Sequence, residues 1–376
     1  MRIRDIATIA SCTLPEQDTV WLLNLDAVEQ QTGKVIEYKY ISPDSLTGST
    51  TAFDTNTVLY SKLRPNLNKV VVPTMSGYAT SEMLPLRPDP QICTREYLAC
   101  YLRSNAFVEW AVSKTNGAKM PRLGTKDLLD KEIPVPSIQT QEYIVAIFAC
   151  VESLIDDLSQ MLSHFDDLVK SRFIEMFGDI TNNDRGWETQ PLGDLCTIVR
   201  GGSPRPIEKF LGGDVPWIKI GDATDGESVY LHSTKEHIIQ EGVAKSRKVK
   251  AGSLIFANCG VSLGFARIIT FDGCIHDGWL AMEDIDSRLD KVFLLQALNQ
   301  MTEHFRKIAP AGTQPNLNTA IMKAYRQIIP PMEQQTSFIR FVEQTDKSKF
   351  SLKNGGKEAD FAVKCIWESL CRGTPT

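Results

Sequence analysis

The sequence of 376 residues lacks the residue patterns of several common functional sites. Its nine cysteines are scattered without a CxxC pair, which argues against both a disulfide framework and a structural zinc site. His232 and His237 have no Cys pair to complete a tetrahedral metal site, and we expect them on the surface. The motifs GxxxxGKS/T, GxGxxG and HExxH are also absent. We therefore expect a chain with no catalytic residues, no metal and no cofactor of its own.

Long apolar stretches are missing as well. There is no run of about 18 uncharged apolar residues, so no membrane-spanning helix is expected. The first residues, MRIRDIATIASC, lack the apolar core of about 7–15 residues that a secretory signal contains. The composition, with 42% hydrophobic and 23% charged residues, is typical of soluble globular proteins. We expect a cytoplasmic protein with two or three domains.

Acidic charge is concentrated in one segment of the chain. Residues 137–178 hold seven acidic and two basic residues, which accounts for the whole net charge of −5. The rest of the chain is neutral overall, and residues 197–250 contain nine basic against seven acidic residues. The net charge therefore neither supports nor excludes a nucleic-acid partner, and its distribution permits one.

The sequence does contain an internal repeat. AKMPRLGTKDLLDKEIPVPSIQTQ at 118–141 matches GTQPNLNTAIMKAYRQIIPPMEQQ at 312–335, with proline, leucine, threonine and glutamine at corresponding places. IRDIATI at 3–9 matches LGDLCTI at 192–198, and further along VLY matches LIF and YLACYL matches FLLQAL. The offsets of 189, 194 and 196 residues are nearly constant. The economical explanation is a duplication of the whole unit.

Each copy begins with a compact domain, here called a head. Head one is predicted at 1–136 and head two at 187–331. Short β-branched runs such as TVLYSKL, KVVV, SLIFAN and ARIITF alternate with Gly, Pro, Asn and Asp in both heads, and each head contains a helix. This pattern predicts two similar α/β or α+β domains, and hence an α+β chain with an internal duplication.

Each copy ends in a long helix, predicted at 137–180 and 332–376. In the first helix apolar residues recur every seven positions in three rows, as in a coiled coil or bundle. The first row is Ile144, Val151, Leu158 and Phe165, the second Ile147, Leu154, Met161 and Leu168, and the third Phe148, Ile155, Leu162 and Val169. At 1.5 Å per residue this helix spans roughly 60 Å. The second helix keeps the frame less well, and Gly355-Gly356, at about 1 kcal/mol per glycine, predicts a kink or break.

Pairing of the two helices is the simplest way to bury such a wide apolar face. An antiparallel coiled coil would relate the copies by a pseudo-two-fold axis and hold the two heads apart. We expect the first and second rows to face the other helix. The third row would then stay partly available, so Phe148, Ile155, Leu162 and Val169 are the predicted partner-binding residues.

Two similar heads suit a ligand with a repeat of its own, and duplex DNA is the leading case because half-sites are spaced by its helical turn. Arg and Lys suit guanine and phosphate, whereas Asn and Gln suit adenine. The candidate contacts are Lys62, Arg64, Asn66, Lys119 and Arg122 in head one, and Arg200, Arg205, Lys219, Asn258, Arg267, Gln314 and Asn316 in head two. RGGSPRP at 200–206 is either a DNA-contact loop or a solvated turn.

The order of PLGDLCTIVRGGSPRP, VPWIKIGDAT, AGTQPNLN and IIPPMEQQTSF before a long helix, in a duplicated chain, resembles the specificity subunits of type I restriction–modification systems. The resemblance covers essentially the whole chain. It implies two target-recognition domains, separated by two antiparallel helices, that bind the halves of a split double-stranded DNA site. It also implies methyltransferase subunits docked on the helices and an optional restriction or translocase subunit. Catalysis and S-adenosylmethionine would belong to those partners.

Head one departs from this pattern. It offers EYKYISPDS, and we expect it to have no counterpart of the GGSPRP and PWIKIGD of head two. Different heads are what two different half-sites would require. The alternative function is a dumbbell scaffold that binds no DNA, recruits partners through its coiled coil and binds protein through its heads. The salt dependence of binding separates these two functions, because affinity for DNA falls steeply with salt.

Overall fold

The computed structural model describes residues 1–10, 12–46, 48, 50–115, 117, 119–224, 229–260, 262–310 and 316–372. The chain forms two compact units. Unit one contains Met1–Gln160 and the chain from Lys353 onward, and unit two contains Met161–Leu352. Each unit therefore holds one head together with part of each long helix.

Head one, in unit one, combines two sheets with short helices. Its strands are β1 (Ala7–Ile9), β2 (Val20–Leu23), β3 (Lys39–Ile41), β4 (Thr50–Phe53), β5 (Val58–Ser61), β6 (Val70–Val71), β7 (Gly77–Thr80) and β8 (Met83–Pro88). Its helices are α1 (Ile3–Ile6), α2 (Arg95–Arg103), α3 (Asn105–Ser113) and α4 (Thr125–Asp130). The first long helix, α5 (Ile138–Phe177), follows.

Head two, in unit two, repeats this arrangement with additional elements. Its strands are β9 (Thr189–Pro191), β10 (Thr197–Arg200), β11 (Leu211–Ile218), β12 (Tyr230–Leu231), β13 (Glu236–Ile238), β14 (Arg247–Val249), β15 (Leu254–Ala257), β16 (Ala266–Ile269), β17 (Gly273–Ile275), β18 (Trp279–Glu283) and β19 (Arg326–Ile328). Its helices are α6 (Leu192–Leu195), α7 (Gln240–Val243), α8 (Lys291–Gln300), α9 (Thr302–Ile308) and α10 (Thr319–Ala324). The second long helix is α11 (Met332–Arg372).

The two heads share one sheet topology. The order β1-β8-β5-β6 in head one corresponds to β10-β18-β15-β16 in head two, and β3-β2-β7-β4 corresponds to β13-β11-β17-β14. In the second of these corresponding sheets the central pair, β2–β7 or β11–β17, is parallel. The predicted α+β class with two similar heads is confirmed. The expectation that head one has no counterpart of PWIKIGD is wrong, because β2 occupies the sheet position of β11 although its sequence, VWLL, has diverged.

Strands β5 and β15 show why short apolar runs in this chain lack polar alternation. Leu254 and Phe256 of β15 pack into the core beside the helices, whereas Ile255 and Ala257 pack into the core between the two sheets of head two. Head one repeats this division, with Leu59 of β5 on the side of the β3-β2-β7-β4 sheet. A strand that is buried on both faces requires apolar residues at every position. The repeated VLY and LIF therefore mark the central layer of each head.

A buried glutamine joins each long helix to its head. Gln141 and Gln335 are both fully buried, and they occupy corresponding places in the repeat. Each accepts a hydrogen bond from the backbone N–H of a head-helix N-cap residue and donates two to backbone carbonyls. The partners, at 2.7–2.9 Å, are Thr94, Ile92 and Pro136 for Gln141, and Asp290, Arg288 and Pro330 for Gln335. Because buried backbone groups need partners, this joint explains the repeated glutamine.

Helix α11 carries a buried stripe in which spacings of three and four residues alternate, as in a coiled-coil seam. The stripe comprises Gln335, Phe338, Val342, Thr345 and Lys349, followed by the half-buried Leu352 and Gly356. Because Gln335, Thr345 and Lys349 are polar, a search for apolar periodicity does not detect this stripe. The helix continues through Gly355 and Gly356, so the expected break is wrong. A Cβ built on Gly356 lies 3.8 Å from Leu158 in α5, and packing of this kind overrides the low helix propensity of glycine.

The long helices run antiparallel within unit two. Phe338, near the start of α11, packs edge-to-face against Phe173, near the end of α5, with ring centroids 5.4 Å apart. Further along α11, Lys349 pairs with Asp166, which lies earlier in α5. Lys349 is 8% exposed, and Asp166 is its partner on the opposite helix. The Asp166 side chain is 53% exposed, so the ion pair lies at the border of the seam, where a polar partner at a core position favours one register of helix pairing.

The rows of α5 are buried differently from the prediction. Every member of the first and third rows is buried or half-buried, whereas Leu154, Met161 and Leu168 of the second row are 48, 45 and 47% exposed. In the third row, Phe148 packs against the head-one core, and Val169 lies within the head-two core. The expectation that the third row stays partly available to a partner is therefore wrong for Phe148 and Val169, whereas Ile155 and Leu162 are half-buried. The apolar residues that α5 exposes belong to the second row.

Candidate nucleic-acid interface

Three segments meet at one edge of head one: the chain after β5, the turn between β7 and β8, and the chain before α4. The backbone N–H of Lys62 donates to the carbonyl of Glu82 at 2.9 Å. Leu123 donates in turn to the carbonyl of Lys62 at 3.0 Å, and Arg64 donates to that of Pro121 at 2.8 Å. These bonds hold irregular segments at the end of the central sheet. We call this arrangement the three-segment edge.

Head two builds the same edge from corresponding residues. Asn258 donates its backbone N–H to the carbonyl of Gly278 at 3.0 Å and accepts that of Leu317 at 2.8 Å. An isolated β-bridge joins Cys259 to Asn316, as another joins Leu63 to Arg122 in head one. The repeat thus places its loops, as well as its core, at equivalent positions.

The edge of head one gathers the basic residues that the sequence singles out. Arg64, Asn66, Lys119 and Arg122 are exposed, and Lys62 is half-buried. Arg64 adopts a left-handed backbone with φ of 51°, which is uncommon for a residue with a side chain. The edge therefore presents several cations and an amide on irregular backbone, which is the chemistry that contacts phosphates and base edges.

In head two the predicted amides behave differently. Asn258 is fully buried, and its Nδ2 donates to Asn316 Oδ1 at 3.2 Å and to the carbonyl of Leu317 at 3.3 Å. The prediction that Asn258 contacts DNA is therefore wrong, because its side chain holds the edge together from inside. Asn316 is half-buried at the edge. Gln314 lies outside the described residues.

The prediction that Arg267 contacts DNA is also wrong. Its Nη1 donates to the carbonyl of Ala266 at 2.7 Å, and its guanidinium lies 4.8 Å from the centre of the Phe265 ring. It lines a cavity with Asp166 and Lys349 of the long helices. Burial lowers the pKa of Arg267 to about 10, against the opposing effect of the Asp166 charge. Arg267 therefore belongs to the seam of unit two and is not a residue of the edge.

The RGGSPRP loop is held against the turn between β17 and β18. Ser203 Oγ donates to Asp277 Oδ1 at 2.6 Å, and Arg200 Nε donates to the Asp277 carbonyl at 3.2 Å. The Nη2 of Arg205 lies 3.6 Å from Asp277 Oδ2, and its side chain is 78% exposed. A Cβ on Gly201 would lie 2.1 Å from the carbonyl of His276, so only glycine fits there. The loop is thus an ordered segment that lies against the three-segment edge and presents two arginines.

Lys219, the remaining candidate of head two, is half-buried beyond β11. Its Nζ forms an ion pair with Glu236 and lies 5.9 Å from the centre of the Trp217 ring. Trp217 packs in turn against His276, which precedes the turn that holds the loop. Lys219 therefore lies near the RGGSPRP loop, and the rings of Trp217 and His276 connect the two.

Asp277 is the centre of a charged cluster that the sequence does not single out. His276 Nδ1 accepts the backbone N–H of Gly278 at 2.9 Å, and Nε2 lies 3.0 Å from Asp277 Oδ1. Burial raises the pKa of Asp277, but the Ser203 hydrogen bond and the charges of His276 and Arg205 outweigh it and hold the pKa below its ordinary value. Burial also lowers the pKa of His276. Because the Ser203 hydroxyl donates to Asp277 and not to His276, this is not the arrangement that activates a serine nucleophile.

In the part of the chain that the structure describes, no group of three or more His, Cys, Asp or Glu side chains is placed to hold a metal ion. Among the same residues, no helix combines the length and the apolar character needed to span a bilayer.

Comparison with known proteins agrees with this geometry. The family described as "Type I restriction modification DNA specificity domain" matches residues 1–162 and 184–359, one match for each copy of the repeat. The chain belongs to this DNA-specificity family. Within the family, the two matches coincide with the two heads and most of the two long helices.

Individual relatives of the specificity family are distant. The EcoDI type I restriction enzyme specificity subunit of Escherichia coli is 28% identical over 185 residues, which cover 48% of this chain and 41% of that protein. The matched part of the chain spans less than half the length of this relative and of two other curated specificity subunits.

Solved structures resemble the chain over almost all of its length. A chain from a structure of type I R-M system assembly and conformational transition has a TM-score of 0.61 at 17% identity, with 99% of this chain and 97% of that chain covered. The type I restriction-modification S subunit from M. genitalium has a TM-score of 0.53 at 14% identity, with 100% and 96% covered. These likenesses show that the fold is shared.

Proposed function

We propose that this chain is the DNA-specificity subunit of a type I restriction–modification complex. Each head reads one half of a split duplex DNA site, and the long helices dock methyltransferase subunits. Catalysis and S-adenosylmethionine belong to those partners, and a restriction or translocase subunit is an optional further partner. The observation that carries the proposal is the three-segment edge, in which Lys62 of head one and Asn258 of head two make corresponding backbone bonds while the exposed side chains of the two heads differ.

The difference between the two edges supports reading of two half-sites. Head one presents Arg64, Lys119 and Arg122, whereas head two presents Arg200 and Arg205 on a loop held by hydrogen bonds. Arginine binds the O6 and N7 of guanine through two parallel hydrogen bonds, and both arginine and lysine bind phosphates. One scaffold with two sets of contacts can recognise two different short sequences.

DNA reading is tested in the intact complex. The chain is expressed with its methyltransferase in a strain without other methylation, and methylated sites are mapped by long-read sequencing. Arg64→Ala should relax one half of the methylated motif and leave the other unchanged, because Arg64 lies in head one only. Arg340→Ala, which removes an exposed arginine of α11, is the matched control. Equal changes in both halves would contradict one half-site per head, and a chain that binds no duplex would favour the scaffold alternative.

Docking is proposed on the exposed second row of α5. A partner that covers Leu168 removes apolar surface from water, worth roughly 1–3 kcal/mol per large side chain. Leu168→Asp should therefore weaken methyltransferase binding by about tenfold or more, while the chain stays folded. Val169→Asp is the matched neighbour, and it should unfold unit two because Val169 is only 6% exposed. Co-purification and thermal unfolding separate the two outcomes, and unchanged assembly of the Leu168 variant would place docking elsewhere.

A further inference from the structure

The same turn of both heads carries an acid that holds an exposed arginine. In head one Glu82 lies in the turn between β7 and β8, and in head two Asp277 lies in the equivalent turn between β17 and β18. Glu82 pairs with Arg122, which precedes α4, whereas Asp277 pairs with Arg205 in the RGGSPRP loop. The arginines come from different segments, whereas the acids come from the same turn at neighbouring positions, since the backbone bond to Lys62 aligns Glu82 with Gly278, the residue after Asp277.

We infer that Glu82 and Asp277 are positioning residues for specificity, each aiming one arginine at a base edge and discouraging its capture by phosphate. This inference rests on the proposed DNA-reading function. It adds to that function a division of labour, in which the arginine makes the contact and the acid sets the geometry of the arginine.

The geometry in head one favours a directed arginine. Both Nε and Nη2 of Arg122 lie 2.9 Å from Glu82 Oε1, and the side chain of Glu82 is only 26% exposed. A guanidinium is planar and rigid, so an acceptor on its Nε side fixes the direction of the opposite edge. The Nη1–Nη2 edge of Arg122 faces away from Glu82, with Nη1 donating only a long hydrogen bond of 3.5 Å to the Met120 carbonyl, and it can serve two parallel acceptors such as the O6 and N7 of guanine.

In head two the position of the Asp277 carboxylate is fixed by contacts that do not involve an arginine. Asp277 Oδ1 receives Ser203 Oγ at 2.6 Å and faces His276 Nε2 at 3.0 Å. Its Oδ2 is left facing Arg205 at 3.6 Å, which is an ion pair longer than a hydrogen bond. The carboxylate is thus a fixed point, and Arg205 is drawn towards it while remaining free to complete its contacts on DNA.

A carboxylate at a DNA-binding edge has an energetic consequence. It repels phosphates within the screening length of about 8 Å at physiological salt, so it weakens binding to every sequence. The carboxylate makes a favourable contribution to binding only where its arginine, or the amino group of a cytosine, contacts it in the correct geometry. An acid at this position therefore lowers non-specific affinity more than specific affinity.

The test uses the full chain in its methyltransferase complex. Three duplex probes of equal length are compared: the methylated site mapped for the wild type, the same site with one half substituted, and a random sequence. Glu82→Gln and Asp277→Asn should bind the random duplex several-fold more tightly. Their ratio of specific to random affinity should fall about tenfold, in line with the loss of one oriented arginine contact. Each variant should relax only the half-site read by its own head.

Controls separate positioning from simple charge. Glu96→Gln in head one and Asp286→Asn in head two remove acids that also pair with arginines but lie outside the edge, and both should leave the ratio unchanged. Glu82→Asp and Asp277→Glu should restore part of the discrimination. Arg205→Lys keeps the charge without the planar fork, and it should lose discrimination without gaining random affinity.

The outcomes distinguish this inference from the proposed function. If the wild-type complex does not discriminate between the mapped site and the random duplex, the proposed function fails. If it does discriminate and the folded acid variants keep the wild-type ratio, the positioning role is overturned. If an acid variant does not fold, the lysine variant of its own arginine decides, which is Arg205→Lys for Asp277 and Arg122→Lys for Glu82, and an unchanged ratio there also overturns the positioning role.

Discussion

Head one and head two share their scaffold but not the chemistry of their edges. Both have the same order of strands in two sheets, the same central layer and the same glutamine joint to a long helix. At the three-segment edge, Lys62 of head one stands where head two has the buried Asn258. The arginine held by an acid comes from the chain before α4 in one head and from the RGGSPRP loop in the other.

This comparison teaches which features a duplicated domain retains. A layer buried on both faces and a glutamine that satisfies three buried backbone groups tolerate little change, because each loss leaves a cavity or an unpaired polar group. Exposed edge residues carry no such cost. They are therefore free to diverge towards different ligands, while the backbone bonds that position them remain.

The glutamine joints should give the largest effect on stability. Gln141→Ala and Gln335→Ala each leave buried backbone groups without partners, and we expect a loss of roughly 2–4 kcal/mol, since such groups cost about 1–3 kcal/mol each. Urea unfolding of the full chain measures the effect. Gln139→Ala, at an exposed position of the same helix, is the control and should be nearly neutral. Similar values for positions 139 and 141 would show that the joint contributes little.

Equivalent positions of the two edges should respond in opposite ways. Asn258→Ala removes a buried amide that ties two segments together, and it should lower the free energy of unfolding by about 1–2 kcal/mol. Lys62→Ala should change stability by less than about 0.5 kcal/mol, as surface substitutions usually do. It should instead reduce the slope of the logarithm of DNA affinity against the logarithm of salt concentration by about one. If Lys62→Ala lowered the free energy of unfolding and left DNA binding unchanged, the roles assigned to Lys62 and Asn258 would be contradicted.

Thiol reactivity gives the smallest and most local test. Burial raises the pKa of Cys93 in head one and of Cys196 in head two to about 12, whereas Cys150 on α5 is exposed. At pH 8 a thiol with such a pKa is ionised on the order of one part in ten thousand, and the thiolate is the reactive form. Alkylation with mass mapping should label Cys150 first, and labelling of the other two should accelerate only as the pH rises towards 12.

The same labelling experiment also probes docking. Cys150 lies one helical turn before Leu154 on α5, so a methyltransferase that covers the second row should protect it. Rapid labelling of Cys93 or Cys196 at pH 8 would contradict their burial. Undiminished labelling of Cys150 in the complex would argue against docking on that face.

Much of the architecture was predictable from the sequence. The nearly constant offset between matching segments predicted the duplication, and the seven-residue period predicted α5. The edge was predicted in part, because Lys62, Arg64 and Arg122 do lie together. Glu82 and Asp277 were missed, although both follow a strand at nearly equivalent places of the repeat, which is a signal that a search for basic residues overlooks. Arg267 could not be placed, because its charge suggests the surface whereas the next layer of helices covers β16.

The sequence by itself determined that α5 is long, helical and apolar in three rows, because a period of seven residues is a local property of the chain. It could not determine which rows face inward. The first row combined with the second, or with the third, gives the same alternation of three and four residues, and both combinations are valid coiled-coil seams. The choice depends on what lies beside the helix. The head cores cover Phe148 and Val169, and a seam with Lys349 at its centre receives Asp166. Leu154, Met161 and Leu168 are left in water because burial of side chains is decided by neighbours that are distant in the sequence.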